Sequence, residues 1–318
     1  MLNVQPPHPA GDAAPHPAAV WIDLLNPEEG EVRLVEELLG FKLPTREQLS
    51  GIEQSSRLSF DNDVLRMAAP VMAEAQTDHP RISQIGIILT PQLMVSIRYD
   101  PLVMFDSVAA RTGKDAPATS AAAFAAVMQA YVGREADLLE EARARLDEVS
   151  HRVFRNATKD PRRAMRNTML MREKLQLLGR IGERISIIRE SLLGVDRMVD
   201  FAADNAKDWF PGDLSDRLRQ VCQDIGALNQ FEEHLLGKVQ FLLDAVLGFI
   251  SIEQNDIFKV LTVASVVGIF PTLVAGWYGM NFANMPELHW AYGYQFGIGV
   301  IVLSTIAPLL WFKWRGWL

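Results

Sequence analysis

Two long apolar segments near the end of the chain constrain its fold more than any other feature. Residues 260–286 and 290–312 contain no Asp, Glu, Lys or Arg. Each segment is long enough to cross the roughly 30 Å hydrocarbon core of a bilayer as a helix, which takes about 20 residues. Three tryptophans, which are common at membrane interfaces, lie at the end of the second segment: Trp311, Trp314 and Trp317. The sequence therefore predicts two transmembrane helices, at about 259–280 and 291–312, rather than a buried hairpin of a soluble protein.

Charges that flank these segments predict the orientation of the chain in the membrane. Lys259 precedes the first segment, and two basic residues follow the second, in a tail at 313–318. The external connector at 281–290 carries only Glu287 as a full charge. By the positive-inside rule, both ends of the chain are cytoplasmic. We therefore expect a multi-pass protein of a bacterial inner membrane, with residues 259–318 as its transmembrane domain.

The amino-terminal end is typical of a disordered arm over residues 1–18. Its "PPHPAGDAAPHPAA" is rich in Pro, Ala and Gly and cannot build a packed core. The arm also lacks the basic and apolar regions of a secretory signal, so we expect it to stay inside the cell.

The composition favours cations over nucleic acids as partners. The chain has 31 Lys+Arg against 39 Asp+Glu, a formal net charge of -8, whereas a nucleic-acid partner favours a basic face. The single Cys222 cannot form an intrachain disulfide, and the six histidines show none of the spacings of a zinc site.

A long helix is predicted to lead into the first apolar segment. From Asp213 onward the apolar positions are spaced by three and four, which is typical of a helix packed against parallel copies or neighbouring helices. A helix from Asp213 to Met280 would have 68 residues and a length of about 100 Å. The positions of this seam, which include one Glu, are Leu214, Leu218, Val221, Ile225, Leu228, Glu232, Leu235, Val239, Leu242, Val246 and Phe249.

Further along the helix, the same face is expected to carry small and polar residues. Such a stripe is typical of a tight helix interface or of the wall of a water-filled path. The polar end-points Asn255 and Asn281 favour the path. The stripe comprises Asn255, Phe258, Thr262, Ser265, Ile269, Thr272, Gly276 and Gly279.

Two further long helices precede this one, and a mixed domain precedes them. Ser120 to about Phe154 and Arg163 to about Phe201 have helical apolar spacing, so residues 119–258 are predicted to be helical, with these two helices antiparallel beside the long one. Residues 19–118 contain the strand-like runs "AVWIDLL", "RLSFDNDVLRMAAPVMA", "QIGIILT" and "LMVSIRY". "NPEEGEVRLVEELLG" predicts a helix with an Asn cap and Pro at its first position. This is an α/β lobe.

Two observations bear on chemistry in these regions. Between Arg152 and Lys174 there are eight basic residues, which form either a solvated turn or a site of attraction to anionic lipid or to acidic residues of the long helix. The chain has no Gly-rich phosphate loop and no nucleophile-and-base arrangement, so we expect neither an enzyme nor an organic cofactor.

The connector "YGMNFANMPEL", residues 278–288, resembles the signature of the CorA family of magnesium channels. The resemblance extends through "WIDLLNP", "VLTVASVVGIFPTLVAG" and "KWRGWL". It implies a homopentameric funnel, with an α+β cytoplasmic domain, a long helical stalk and a two-helix transmembrane domain whose first span lines the pore. It also implies a selectivity filter at Gly279, Met280 and Asn281, which holds Mg²⁺ with its hydration shell.

The same resemblance assigns further positions. Thr272 and Asn255 match pore positions, and Leu261 falls at a constriction, beside Thr262 of the stripe. Glu287 would draw cations to the mouth, and the membrane potential would drive them inward.

Regulation is also implied by the resemblance. Cytoplasmic Mg²⁺ would bridge carboxylates of neighbouring subunits and close the channel. We assign Asp224 as one bridging carboxylate, with Asp61 or Asp63 as its partner. The chain departs from the family in its Pro-rich arm and in its sparse basic tail, Lys313 and Arg315.

Two alternatives remain open from the sequence. One is a proton-coupled zinc transporter of the same superfamily, although such relatives tend to read Gly-Ile-Asn. Cobalt and nickel are additional candidate ions. The other is a membrane-anchored coiled-coil scaffold without a pore.

Overall fold

The computed structural model describes residues 1–5, 18–51, 57–75, 77, 80–111, 115–156, 164–280, 285–286 and 290–317, with the side chains of all but 155–156 and 164–170. The chain divides into two compact units. The first comprises Met1–Phe154 and Lys174–Leu243, and the second comprises Arg155–Glu173 and Asp244–Leu318.

A six-stranded sheet forms the centre of the first unit. Its order is β1-β2-β6-β5-β4-β3, and all neighbours are antiparallel except β2 and β6, which are parallel. Three short helices accompany the sheet: α1 (Glu29–Leu39), α2 (Arg46–Leu49) and α3 (Val103–Ala109). The strands are β1 (Leu2–Gln5), β2 (Trp21–Leu25), β3 (Leu58–Asp61), β4 (Val64–Ala73), β5 (Arg81–Leu89) and β6 (Met94–Arg98). The predicted mixed domain is therefore confirmed.

Strand β1 corrects the prediction of a disordered arm. Leu2–Gln5 pair antiparallel with β2, with Val4 opposite Ile22, and Val4 is buried. An edge strand satisfies its backbone through the sheet, so four residues suffice even beside a Pro-rich segment. Residues 6–17 of the predicted arm lie outside the described residues.

Helix α1 begins later than predicted. Its N-cap is Glu28, which forms a capping box with Glu31, and the helix starts at Glu29. Asn26, the predicted cap, has a positive φ of 43°, and its N–H donates to the Arg98 carbonyl oxygen at 2.7 Å. Because that N–H is used by the sheet, Asn26 ends β2 instead of starting the helix.

Polar residues buried between β2, β6 and α3 hold the parallel strand pair in register. Arg98 Nη2 lies 2.7 Å from Asp23 Oδ2, and the two side chains are 3% and 2% exposed. The Ser96 hydroxyl donates to Asp23 Oδ1 at 2.6 Å and accepts from Trp21 Nε1 at 2.9 Å. Arg98 also reaches the exposed Asp106 of α3, at 2.6 Å. A register shift would leave these buried groups unpaired.

Four long helices follow the sheet in sequence. They are α4 (Ser120–Asn156), α5 (Ala164–Asn205), α6 (Asp213–Tyr278) and α7 (Gly293–Trp314). Helix α6 ends two residues before the predicted Met280 and spans about 100 Å at 1.5 Å per residue.

Helix α5 runs antiparallel to both α4 and α6. Its antiparallel course beside α6, the long helix, was predicted. Along each pair of helices, residue numbers rise on one helix as they fall on the other. Between α5 and α4, Ser191 contacts Glu135 and Lys174 contacts Arg152. Between α5 and α6, Arg189 contacts Glu232 and Gly182 contacts Val239.

Helix α4 runs parallel to α6, which corrects the prediction that both upstream helices oppose the long one. Lys238 pairs with Asp147, and seven residues further along α4 the ring of Phe154 stacks on Phe241 at 6.0 Å. Two successive reversals of chain direction make the first and third helices parallel.

The predicted apolar seam of α6 is buried within the chain itself. The seam therefore packs against neighbouring helices of the same chain, which settles the alternative left open between neighbours and parallel copies. Its buried members in the first unit are Leu218, Val221, Ile225, Glu232, Leu235, Val239 and Leu242.

The carboxyl group of Glu135 is buried between α4 and α5. Glu135 is 3% exposed, and the Ser191 hydroxyl lies 3.5 Å from its Oε1 while sharing a 2.7 Å hydrogen bond with the Tyr131 hydroxyl. Among the residues that the structure describes, Glu135 Oε2 has no hydrogen-bond partner. Burial raises the pKa of Glu135 to about 8, although Ser191 and Arg134 oppose the rise.

This raised pKa predicts a pH-dependent stability. The folded protein keeps a proton that the unfolded chain releases, so stability falls as the pH rises from about 4.5 to about 8, by at most about 1.4 kcal/mol per pH unit. We expect Glu135→Gln to remove this part of the slope, and the exposed Glu140→Gln to leave it unchanged. The measurement is the apparent Tm of wild type and of each variant over about pH 5 to about pH 9. If the apparent Tm changes equally with pH in wild type and in Glu135→Gln, the prediction is contradicted.

The second unit contains the two predicted membrane segments. Helices α6 and α7 each contain a stretch long and apolar enough to cross a membrane. At the end of α7 the Phe312 ring is 5.0 Å from Trp311 and 5.4 Å from Trp317, and Arg315 lies 5.4 Å over the Trp311 ring. Two tryptophans packed on one phenylalanine beside a cation suit a membrane interface.

Only part of the predicted basic segment lies within the described residues. Arg152 pairs with Glu148 on its own helix, and Lys174 Nζ donates to the Arg152 carbonyl oxygen at 3.2 Å. Residues 157–163 lie outside the described part of the chain. The choice between a solvated turn and a lipid-attracting surface stays a prediction.

Candidate functional site

One face of α6 in the second unit is exposed along its length and carries the predicted stripe. It borders an open groove of about 840 Å³ whose floor includes Ser265, Ile269, Thr272, Gly276 and Met280. The predicted pore-lining residues, all exposed in the single chain, are Asn255, Phe258, Leu261, Thr262, Ser265, Ile269, Thr272 and Gly276.

This face is not the continuation of the buried seam, which corrects the sequence interpretation. The six residues from Phe249 to Asn255 turn the helix by roughly 240° at about 100° per residue. Following the seam itself from Phe249 leads instead to Val263, which is buried, and to the half-buried Val267 and Val274. The stripe lies on roughly the opposite side of the helix, which leaves it free of the chain's own packing.

Two threonines present acceptor oxygens on the exposed face. The Thr262 hydroxyl donates to the Phe258 carbonyl oxygen at 2.7 Å, and the Thr272 hydroxyl donates to the Gly268 carbonyl oxygen at 2.8 Å. Because each hydroxyl proton is used within the helix, the remaining lone pairs can only accept hydrogen bonds. An acceptor surface suits a ligand that offers protons outward, as the water shell of a metal cation does.

The upper end of this face is formed by the glycine of the Gly-Met-Asn triplet. Gly279 N–H donates to the Ala275 carbonyl oxygen at 2.9 Å, and Met280 N–H to that of Trp277 at 3.3 Å, so helical bonding extends to the triplet. A Cβ on Gly279 would lie 3.1 Å from the Ala275 carbonyl oxygen. A glycine therefore allows the tight end of the helix at this point. Asn281 and Glu287 lie outside the described residues.

Sequence reasoning missed several residues of the groove. Ala264, Gly268, Leu273 and Trp277 also line it. A signal was present, because Ala264, Gly268, Thr272 and Gly276 are small residues at successive fourth positions, a spacing typical of close helix contacts in membranes. The stripe followed one series of positions spaced by three and four and so omitted neighbouring positions on the same face.

The three predicted regulatory carboxylates lie in different elements. Asp224 is half-buried on α6 and accepts a hydrogen bond from Gln220 Nε2 at 2.7 Å. Asp61 and Asp63 flank the turn between β3 and β4, where Asp63 has a φ of 56°. Within the described residues, no three Asp, Glu, His or Cys side chains form a group that could hold a metal.

Comparisons with known proteins agree on one family. A family model described as CorA-like Mg²⁺ transporter protein matches residues 17–314. The magnesium transport protein CorA of Yersinia pseudotuberculosis serotype I (strain IP32953) is 32% identical over 304 residues, which cover 95% of this chain and 92% of the relative. That of Escherichia coli (strain K12) is 32% identical over 302 residues, with 94% and 92% covered.

Solved structures share the fold. The complete structure of the CorA magnesium transporter from Methanocaldococcus jannaschii has a TM-score of 0.74 at 17% identity and covers 94% of this chain and 91% of its own. The full-length CmaX protein has a TM-score of 0.67 at 14% identity, with 95% and 89% covered. At such low identity the likeness shows the architecture alone: an α/β domain, a long helix and two carboxy-terminal apolar helices.

Proposed function

Because this chain belongs to the family of CorA-like Mg²⁺ transporters, we propose that it is a membrane channel through which hydrated Mg²⁺ enters the cell. The observation that carries the proposal is the exposed face of α6, which combines outward acceptor oxygens with small residues and ends at the Gly-Met-Asn triplet. A face of this kind, left unpacked by its own chain, needs either other copies or water against it.

Five copies of the chain around a common axis would enclose this face as a pore. The first apolar span, about 259–280, would line the axis, and the second, about 291–312, would form the outer ring. Gly279, Met280 and Asn281 would form the outer mouth, with Glu287 attracting cations there. We place the protein in a bacterial inner membrane with both ends in the cytoplasm.

Selectivity would come from neutral acceptors that leave the water shell intact. Mg²⁺ holds its octahedral waters tightly, so a ring of Asn281 amide oxygens and Thr272 hydroxyls can recognise the hydrated ion through its outward protons. The membrane potential contributes about 2.3 kcal/mol per charge per 100 mV, and twice that for a divalent ion. Transport of this kind needs neither an organic cofactor nor an enzymatic step.

Closure would follow from binding of cytoplasmic Mg²⁺ at subunit boundaries. We propose that Asp224 of one subunit, with Asp61 or Asp63 of another, holds the regulatory ion. This division across subunits is supported by the separate positions of these carboxylates in the chain, on α6 and on the β3–β4 turn. Mg²⁺ bound across a subunit boundary favours the closed arrangement. The shift in the equilibrium is set by the difference between the Mg²⁺ affinities of the closed and open arrangements.

Flux into proteoliposomes tests the proposed function. With an imposed inside-negative potential we expect Mg²⁺ entry, measured by a trapped fluorescent indicator, and slower entry without the potential, when only the concentration gradient drives it. Cobalt, nickel and zinc are measured in parallel. Zinc entry driven by a proton gradient without voltage would instead support the zinc transporter, and no cation flux from assembled protein would support a scaffold.

The acceptor role of Thr272 gives a more specific prediction. Thr272→Val keeps the shape and removes one oxygen from every subunit of the proposed pentamer, so we expect Mg²⁺ flux to fall more than tenfold, as for the loss of several neutral hydrogen bonds. Thr305→Val in α7 is the matched control, because the Thr305 hydroxyl makes the same bond to a carbonyl four residues earlier, that of Ile301, at 2.9 Å. Equal effects of the two variants would contradict an axial role for Thr272.

A further inference from the structure

A small pocket in the first unit gathers three arginines. It has a volume of about 90 Å³ and lies beside the connection from β4 to β5, at Thr77 and Pro80. Arg145 of α4 and Arg180 and Arg184 of α5 contribute to its wall. The pocket is far along the sequence from the residues assigned to transport, and none of those residues lines it.

Arg184 is a fixed, buried cation in this wall. It is 8% exposed, and its Nη2 donates to the carbonyl oxygens of Ala75 at 2.5 Å and Thr77 at 3.0 Å. Its Nη1 lies 3.8 Å from Glu141 Oε1, beyond hydrogen-bonding distance. A buried guanidinium bound mainly by neutral carbonyls keeps its positive charge largely uncompensated.

The described charges around the pocket do not balance. Glu141 is shared, because its Oε1 also accepts from Arg145 Nη2 at 2.5 Å. Arg180 forms no ion pair with any residue that the structure describes. Arg180 and Arg184 are four residues apart on one helix, a spacing at which like charges repel. Among the described residues, three guanidinium groups thus face one carboxylate, an excess of about two positive charges.

We propose that this pocket binds a phosphate group through Arg145, Arg180 and Arg184. A water molecule occupies about 30 Å³ in the liquid, so the pocket has room for about three waters or for one tetrahedral oxyanion. Guanidinium groups match phosphate oxygens as paired donors, and a phosphate dianion would balance the excess charge. The phosphate comes either from the free ion or from the end of a nucleoside polyphosphate; the chemistry of recognition is the same.

Isothermal titration calorimetry on the full-length protein in detergent tests this site. Inorganic phosphate is titrated in magnesium-free buffer with EDTA, against potassium chloride at matched ionic strength. We expect phosphate to bind wild type, and Arg180→Gln and Arg145→Gln each to weaken it about tenfold or more. Both arginines are exposed, so the variants should fold, as an unchanged apparent Tm would show. Arg197→Gln, an exposed arginine of the same helix outside the pocket, is the matched control and should bind like wild type.

A second titration, with adenosine triphosphate in the same buffer, distinguishes the two sources. If adenosine triphosphate binds more tightly than inorganic phosphate, and Arg180→Gln loses this binding, the site takes a terminal phosphate. If adenosine triphosphate binds equally or more weakly, the site takes the free ion. No binding at millimolar phosphate, or equal losses in Arg180→Gln and Arg197→Gln, would overturn the site. Because no transport is measured, a failure here leaves the proposed channel untouched.

Discussion

Replacing Asn281 by alanine is expected to abolish Mg²⁺ entry while the protein still assembles. Helical bonding on α6 extends to Gly279 and Met280, so the next residue begins the connector at the end of the exposed face. In the proposed pentamer the substitution would remove five amide oxygens at once from the proposed outer mouth. If each accepts one hydrogen bond from the hydration shell, at about 1 kcal/mol each, the loss far exceeds tenfold. The measurement is voltage-driven Mg²⁺ flux into proteoliposomes. Native mass spectrometry checks that the variant still assembles.

Asn284→Ala is the matched control for this experiment. It removes the same side chain from the same connector, three residues beyond Asn281, and we expect it to keep most of the flux. Wild-type flux in assembled Asn281→Ala would remove the filter from the proposal. Comparable loss in both variants would mean that the connector acts as a whole and not through one amide.

Replacing Asp23 by alanine is expected to produce the largest loss of stability. Asp23 accepts hydrogen bonds from Arg98 and from Ser96, and all three side chains are buried. The variant leaves the Arg98 guanidinium buried beside a cavity, with its remaining ion pair to the half-exposed Asp106. Removing one partner of a buried pair costs about 3–5 kcal/mol, which for a unit of this size lowers the apparent Tm by about 10 °C.

Asp106→Ala is the control, because it removes the other carboxylate of the same arginine. The Asp106 side chain is 58% exposed, so we expect a change below about 1 kcal/mol. Thermal denaturation followed by circular dichroism measures both variants. Similar losses in the two would show that the buried position of Asp23 is not what matters.

The membrane segments and the long helix could be predicted because they depend on properties that run along the chain. Absence of charge from 260 to 286 and the three-and-four spacing after Asp213 are visible without knowledge of any contact. The helix was predicted to end at Met280, and it ends two residues earlier, at Tyr278. The family signature then supplied the site that spacing alone does not define.

The errors concern contacts between distant parts of the chain. Strand β1 pairs with β2 across the Pro-rich segment, and its four residues carry little signal of their own. The direction of α4 depends on two reversals of the chain, and the exposed face of α6 was joined to the wrong seam across the gap between Phe249 and Asn255. Asp224, Asp61 and Asp63 stay predictions, since a site shared between copies leaves no mark in one chain.

The unbroken course of α6 has a mechanical consequence. No loop separates Asp224 from Gly279. A tilt of the helix at Asp224 can therefore pass to Gly279 through the backbone hydrogen bonds of one continuous helix, over about 80 Å. Pro271 is the point of least stiffness in that helix, because it has no amide proton to donate. It immediately precedes Thr272, so bending would concentrate beside the hydroxyl that we propose faces the ion, and the transmission needs no separate hinge.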